Sequence, residues 1–125
     1  MQMNAKEYLK QIRALDLQID QRLMEKNDLE WIASRFPGTS EHCRKLAESV
    51  ADVITDLVNQ KDEIIGKILL LKDQRYVSIL YLHYVRFILL EDVAVIMQKK
   101  NGKTYTWHHI NMLHAKAVKE FSKLM

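Results

Sequence analysis

Leu90-Glu91-Asp92-Val93-Ala94-Val95-Ile96-Met97, the string QKKNGKTY over 98–105, and Thr106-Trp107-His108-His109-Ile110-Asn111-Met112-Leu113-His114-Ala115-Lys116-Ala117-Val118-Lys119-Glu120-Phe121 form the stretch that decides the fold. Glu91 and Asp92 stand where carboxylates favour the positive end of a helix dipole, so a short helix is predicted over 90–97. QKKNGKTY then reads as a turn with Asn101-Gly102 at its centre, and Thr106 as the cap of a helix running to the C-terminus. Ile110, Leu113, Ala117, Phe121 and Leu124 recur at intervals of three and four and mark its buried face. Steps of about 100° per residue place His108, Met112, Ala115, Lys119 and Lys123 opposite, His109 and Lys116 on one flank and Asn111 on the other. Trp107 lies only about 60° from the buried stripe by the same step and is predicted to pack in the core.

Upstream, the apolar spacing of Tyr8, Ile12, Leu15, Ile19, Leu23 and Leu29 predicts one long amphipathic helix from Asn4 to about Arg35, with Asn4 and Glu7 spaced as a capping box. Phe36-Pro37-Gly38-Thr39-Ser40 holds the sole proline of the chain and must end that helix. A second long helix is predicted from Ser40, as N-cap, to about Lys72. Cys43, Leu46, Val50, Val53, Leu57, Ile64 and Leu71 lie on its a/d track, interrupted by Gln60 and Lys67 and thickened by Ala47, Ile54 and Ile68. Two such helices joined by a short turn predict an antiparallel hairpin. Its seam is either satisfied within the pair or shared with another copy or another protein. Asp73-Gln74 offers a break and a new N-cap for a third helix carrying Tyr76, Ile79, Leu80, Leu82, His83 and Tyr84, apolar on most faces and so central to a core. The expected architecture is all-α, a helical hairpin over 1–72 used for assembly, followed by a three-helix module over 73–125.

Charge follows the same division. Residues 1–72 carry 11 Lys+Arg against 12 Asp+Glu, while 73–125 carry 8 against 4, for net charges of −1 and +4. Any affinity for a polyanion therefore belongs to the C-terminal part. Cys43 is the only cysteine, which excludes an internal disulfide and fits a reducing, cytoplasmic setting. Lys6, Glu7 and Lys10 break up the N-terminal apolar residues and exclude a secretory core, and no apolar run is long enough to span a bilayer, so no membrane partner is expected. An enzyme is not expected either. His42, His83, His108, His109 and His114 lack helical metal-site spacing, no Gly-rich phosphate loop is present, and neither metal nor cofactor is expected. His114, at the edge of the apolar face, reads as a packing residue with a local hydrogen bond, and Cys43 as a small core residue.

A helix, a turn and a second helix with donors and cations on its open face point to double-stranded DNA. Asn111 and the lysines of this face have the chemistry to meet base edges, the lysines and the helix N-terminus to hold phosphates, and Lys99, Lys100 and Lys103 in the turn add further phosphate contacts. The alternative is a protein-interaction or phage assembly role, in which these helices dock on RNA polymerase or another phage protein and Trp31 and Trp107 serve as anchors.

The strings DQRYVSILYLHYV, LEDVAVIM and TWHHINMLHAKAVKEF resemble region 4 of sigma-70-type factors, in the variant found in ArpU-like phage transcriptional regulators. Ala5-Lys6-Glu7-Tyr8-Leu9, with Ile12-Arg13 and Leu15-Asp16, is similar to the opening of small phage-associated proteins that carry such a module. The resemblance covers nearly the whole chain. It implies a phage or prophage regulator of transcription acting in the cytoplasm of a bacterial host; self-association through residues 1–72 is expected from the apolar surface of the hairpin itself. The resemblance makes Thr106 the cap of a recognition helix, sets His108, His109 and Met112 toward the major groove, and makes Lys116 and Lys119 backbone contacts. The chain departs from the pattern between Met97 and Thr106, where eight residues replace the two or three such modules use. That segment is either a wing gripping DNA or a change in how the helix enters the groove.

Overall fold

The computed structural model describes residues 3–125, and among them every regular element is helical. Five helices follow in order: α1, Ala5–Arg35; α2, Ser40–Leu69; α3, Gln74–Leu80, which widens into a π-helical turn over Tyr81–Val85; α4, Leu90–Asn101; and α5, Trp107–Ser122. Asn4 caps α1, its Oδ1 accepting the Glu7 N–H at 2.8 Å. Phe36 is extended at φ −127° ahead of Pro37, as a residue before proline prefers, and α1 stops there. Pro37–Thr39 form a single 3-10 turn. Ser40 is not the N-cap of α2. It already has helical backbone angles, and its hydroxyl donates to the Ala33 carbonyl at 2.9 Å across the turn.

By packing, the chain divides into two compact units at Arg13/Ala14 and Asp62/Glu63, not at residue 72. One unit is Ala14–Asp62, where α1 and α2 run in opposite directions, with Lys61 ion-paired to Asp16 and Ser40 bonded to Ala33. Its seam differs from the predicted track. Cys43, Ala47, Val50 and Leu57 are buried, whereas Leu46 and Val53 are 42% and 40% exposed. The buried row therefore follows 43, 47, 50, 54, 57 and 61, in which Ile54 and Lys61 are half-buried. Every second position is one residue later than expected, and Gln60 lies off the seam.

The other unit joins the chain up to Arg13 to Glu63–Met125. Leu9 and Ile12 from α1, Ile64 and Ile68 from α2, and Leu71 are buried here with α3, α4 and α5. Tyr8 packs on Phe121, ring centres 5.9 Å apart, and the Lys67 ammonium donates to the Tyr8 hydroxyl at 2.7 Å while lying over its ring. The ends of both long helices thus belong to the C-terminal core, which is why the boundary falls ten residues before 72. Each fully buried Leu, Ile or Phe contributes about 1.5–3 kcal/mol of hydrophobic free energy, so these end segments stabilise the C-terminal helices substantially. Asp73 caps α3, accepting the Arg75 N–H at 2.9 Å. Of the apolar positions on α3, Ile79, Leu80, Leu82 and Tyr84 are buried, while Tyr81 is exposed.

Candidate nucleic-acid interface

α4 contributes Val93, Ala94 and Met97 to a core shared with Ile79, Leu82, Tyr105, Ile110 and Leu113. It does not stop at Met97. The helix continues through Gln98, Lys99 and Lys100 to Asn101, and Gly102, at φ +75°, closes it by donating its N–H to the Gln98 carbonyl at 2.8 Å. The Asn-Gly pair is therefore a helix terminator rather than the centre of a loop. Lys99 and Lys100 lie in the last helical turn, where cations complement the negative end of the dipole. The connection to the Thr106 cap shortens from the expected eight residues to Gly102–Tyr105. It is held from both sides. Asn101 Oδ1 accepts the Lys103 N–H at 3.1 Å, its amide donates to the Tyr105 hydroxyl at 2.8 Å, and the Tyr105 ring plugs into the core at 7% exposure.

Thr106 is the cap of α5: its Oγ1 accepts the His109 N–H at 3.0 Å. Ile110, Leu113, His114, Ala117 and Phe121 are buried, whereas Leu124, beyond the helix end, is 36% exposed and not part of that face. The opposite face carries His108, Met112, Ala115, Lys116 and Lys119, all exposed. His109 is half-buried and stacked on Tyr105, ring centres 5.3 Å apart and planes 23° from parallel. Asn111 is also half-buried, and its amide donates one hydrogen to the Trp107 carbonyl at 2.7 Å, which leaves its second N–H and Oδ1 uncommitted. Of the expected base-facing side chains, the fold leaves His108 and Met112 free of such contacts and holds His109 and Asn111 in place.

Trp107 is 62% exposed rather than packed in the core. It is the first residue of the helix, and a helical side chain leans toward the N-terminus, so this indole points past the end of the packed face. Its position right after a threonine cap is the sequence feature that distinguishes it from a core tryptophan.

Lys99, Lys100, Lys103, Lys116 and Lys119 form no ion pair among the described residues, while Lys123 is joined to Glu120 at 2.9 Å. The unit that contains them has 13 Lys+Arg against 6 Asp+Glu, net +7; Ala14–Asp62 has 6 against 10, net −4. The structural division thus separates charge further than the cut at residue 72. Behind the open face, His114 Nε2 and the Tyr84 hydroxyl are 2.8 Å apart and both residues are buried. Burial, with help from His83 and Lys6, holds the His114 imidazole down to about 4, and burial pushes the Tyr84 phenol up to about 12. Both groups are neutral near pH 7, and their hydrogen bond fastens α5 to the end of α3. His83 Nδ1 in turn lies 2.7 Å from the Ile88 carbonyl.

No family model, curated protein or solved structure matches this chain. Among the described residues no cluster of His, Cys, Asp or Glu is arranged to hold a metal, and no helix is long and apolar enough to cross a membrane. Cys43 is buried in the α1–α2 seam.

Proposed function

We propose that the chain is a DNA-binding regulator of transcription, of phage or prophage origin and acting inside the bacterial host cell. On this reading α3, α4 and α5 form a helix-turn-helix module related to sigma-70 region 4, following an antiparallel hairpin through which the protein self-associates. The observation that carries the proposal is the Gly102–Tyr105 connection. Four residues including a glycine are what a helix-turn-helix uses, and they lead into a capped helix whose outer face bears unpaired lysines in a unit of net charge +7. The unusual length between Met97 and Thr106 no longer calls for a wing, because α4 absorbs four of those residues. α5 enters the major groove with His108 and Met112 toward base edges, and Lys116, Lys119 and the α4-end lysines hold phosphates.

One observation favours a second reading. An exposed tryptophan at the head of α5 suits a protein hot spot, with RNA polymerase or another phage protein as the partner. Fluorescence-anisotropy titration with short random-sequence duplex DNA at low and moderate salt separates the two. Micromolar binding that weakens steeply with salt is expected; absence of binding at low salt would leave the docking reading.

A further inference from the structure

Lys6, Lys10 and Arg13 recur at intervals of four and three along α1, and all three are exposed. Steps of 100° set them within about 60° of one another, on a flank about 100° around the helix from the buried row Ala5, Leu9 and Ile12. Two crevices open beside that flank. Lys6 and Lys10 line one with Val118 of α5, and Lys10 and Arg13 line the other, of about 310 Å³, with His83, Tyr84 and Phe87. The row works against its own helix. Lys6 stands in the first turn, where a cation opposes the positive end of the dipole, and like charges three and four residues apart repel. Elsewhere in α1 and α2 cations sit beside carboxylates, as in Arg22–Glu25, Lys26–Glu30 and Arg44 with Glu41 and Glu48. Among the described residues Lys6, Lys10 and Arg13 form no ion pair, not even with Glu7 on the same helix or with Glu91 and Asp92 at the start of α4. The backbone is strained in the same place. Phe87 alone among the described non-glycine residues has a positive φ, +58°, which L side chains rarely adopt. It follows the π-helical turn, and its ring, 41% exposed, lies under the Arg13 guanidinium, 5.4 Å from carbon to ring centre. A ring takes no hydrogen bond from a guanidinium stacked on it, so the Arg13 N–H donors stay available to an anion. Broken charge rules and backbone strain gather where a ligand offsets them.

We infer that the Lys6, Lys10 and Arg13 row of α1 is a second phosphate-binding surface, along which the backbone of the duplex held by α5 lies. This rests on the DNA-binding reading above and adds α1 to the interface. Charge selects the partner: three unpaired cations stand together in the unit whose net charge is +7. Their spread suits a polyanion more than a single ion. From Lys6 to Arg13 the row is about 10 Å long, the axial rise of about three phosphates on one strand. Its place suits a duplex already in contact with α5. Tyr8 and Phe121 pack α1 against α5, and helices packed in this way lie about 8–10 Å apart. Val118, which shares a crevice with Lys6 and Lys10, precedes Lys119 in sequence, so the row borders the open face of α5. Lys6 is near enough for its charge to help hold the His114 imidazole low.

Anisotropy titration of the full chain with duplex DNA over a salt series tests the inference. Lys6→Gln/Lys10→Gln/Arg13→Gln is expected to weaken binding about tenfold or more at low salt and to flatten the slope of log K against log salt by about 2–3, at about 0.9 per phosphate. All three side chains are exposed, so helicity by circular dichroism is expected to be unchanged, and the urea midpoint unchanged or slightly raised by the loss of like-charge repulsion. As a control, Arg22→Gln/Lys26→Gln/Lys45→Gln removes the same charge from cations that sit beside carboxylates and is expected to leave the slope near that of wild type. A wild type that does not bind at low salt overturns the DNA-binding reading and this inference with it. Wild-type binding whose slope survives neutralisation of the row overturns the inference alone. So does equal flattening by the control, which would mean that overall charge and not contact sets the affinity.

Discussion

Acidification should loosen this protein through one histidine, His114. It is 9% exposed and its imidazole is held near 4, against about 6.5 when the chain unfolds. Because the folded value is the lower one, the unfolded chain binds the extra proton. The contribution is complete above about pH 6.5, falls by about 1.4 kcal/mol per pH unit below that, and levels off once the pH is below 4. Between pH 7 and pH 4 the loss is about 3 kcal/mol, a large share of the stability of a small domain. Replacing the imidazole with a polar group that does not titrate, His114→Gln, removes this dependence while leaving the Tyr84 hydroxyl a partner. Urea denaturation of both proteins at pH 7, 5.5 and 4 measures it, since carboxylates such as Asp73, whose pKa is lowered by its bonds from Arg75, are common to the two. The wild type is expected to lose about 3 kcal/mol more than the variant over this range. Parallel pH profiles would refute the reasoning and mean that the buried ring accepts a proton without penalty.

Other outcomes follow from the α4–α5 connection and the head of α5. Gly102→Ala forces an L side chain to φ +75° with no compensating contact, so it is expected to cost about 1–2 kcal/mol in chemical denaturation. Thr106→Ala removes the acceptor for the His109 N–H and is expected to cost about 1 kcal/mol and fray the start of α5, read as faster hydrogen exchange there. Trp107→Ala, at an exposed site, should change stability by less than about 0.5 kcal/mol. A larger loss would mean that the indole is packed after all.

Periodicity made α1, α2 and α5 legible, because each shows an apolar stripe at helical spacing, while α3 was legible as an apolar run behind Asp73 and the start of α4 from Glu91 and Asp92. The cap residues Asn4, Asp73 and Thr106 were legible too, since their side chains are the acceptors a helix start requires. The end of α4 was not. Gln98, Lys99 and Lys100 are polar all round and give no periodic pattern, and Asn-Gly marks a helix end as readily as a turn. The α2 seam was misaligned for a related reason: Leu46 and Ala47 are both apolar, and hydrophobicity alone does not decide which of two neighbours is buried, here Ala47. Of the candidate interface, the open side of α5 was legible from 100° steps alone. Those steps do not register the stacking of His109 on Tyr105 or the bond from Asn111 to the Trp107 carbonyl, which depend on where neighbouring elements end. The exposure of Trp107 was missed because a helical wheel takes no account of where a helix begins.

The central claim is that the outer face of α5 touches DNA. Its most direct test compares wild type with Lys116→Ala/Lys119→Ala in anisotropy titrations against duplex DNA over a series of salt concentrations. Each phosphate contact contributes about −0.9 to the slope of log K against log salt, so the double variant is expected to bind more weakly on every sequence with a slope flatter by nearly 2. Equal affinity and equal slope for the two proteins would contradict the account and take α5 out of the interface.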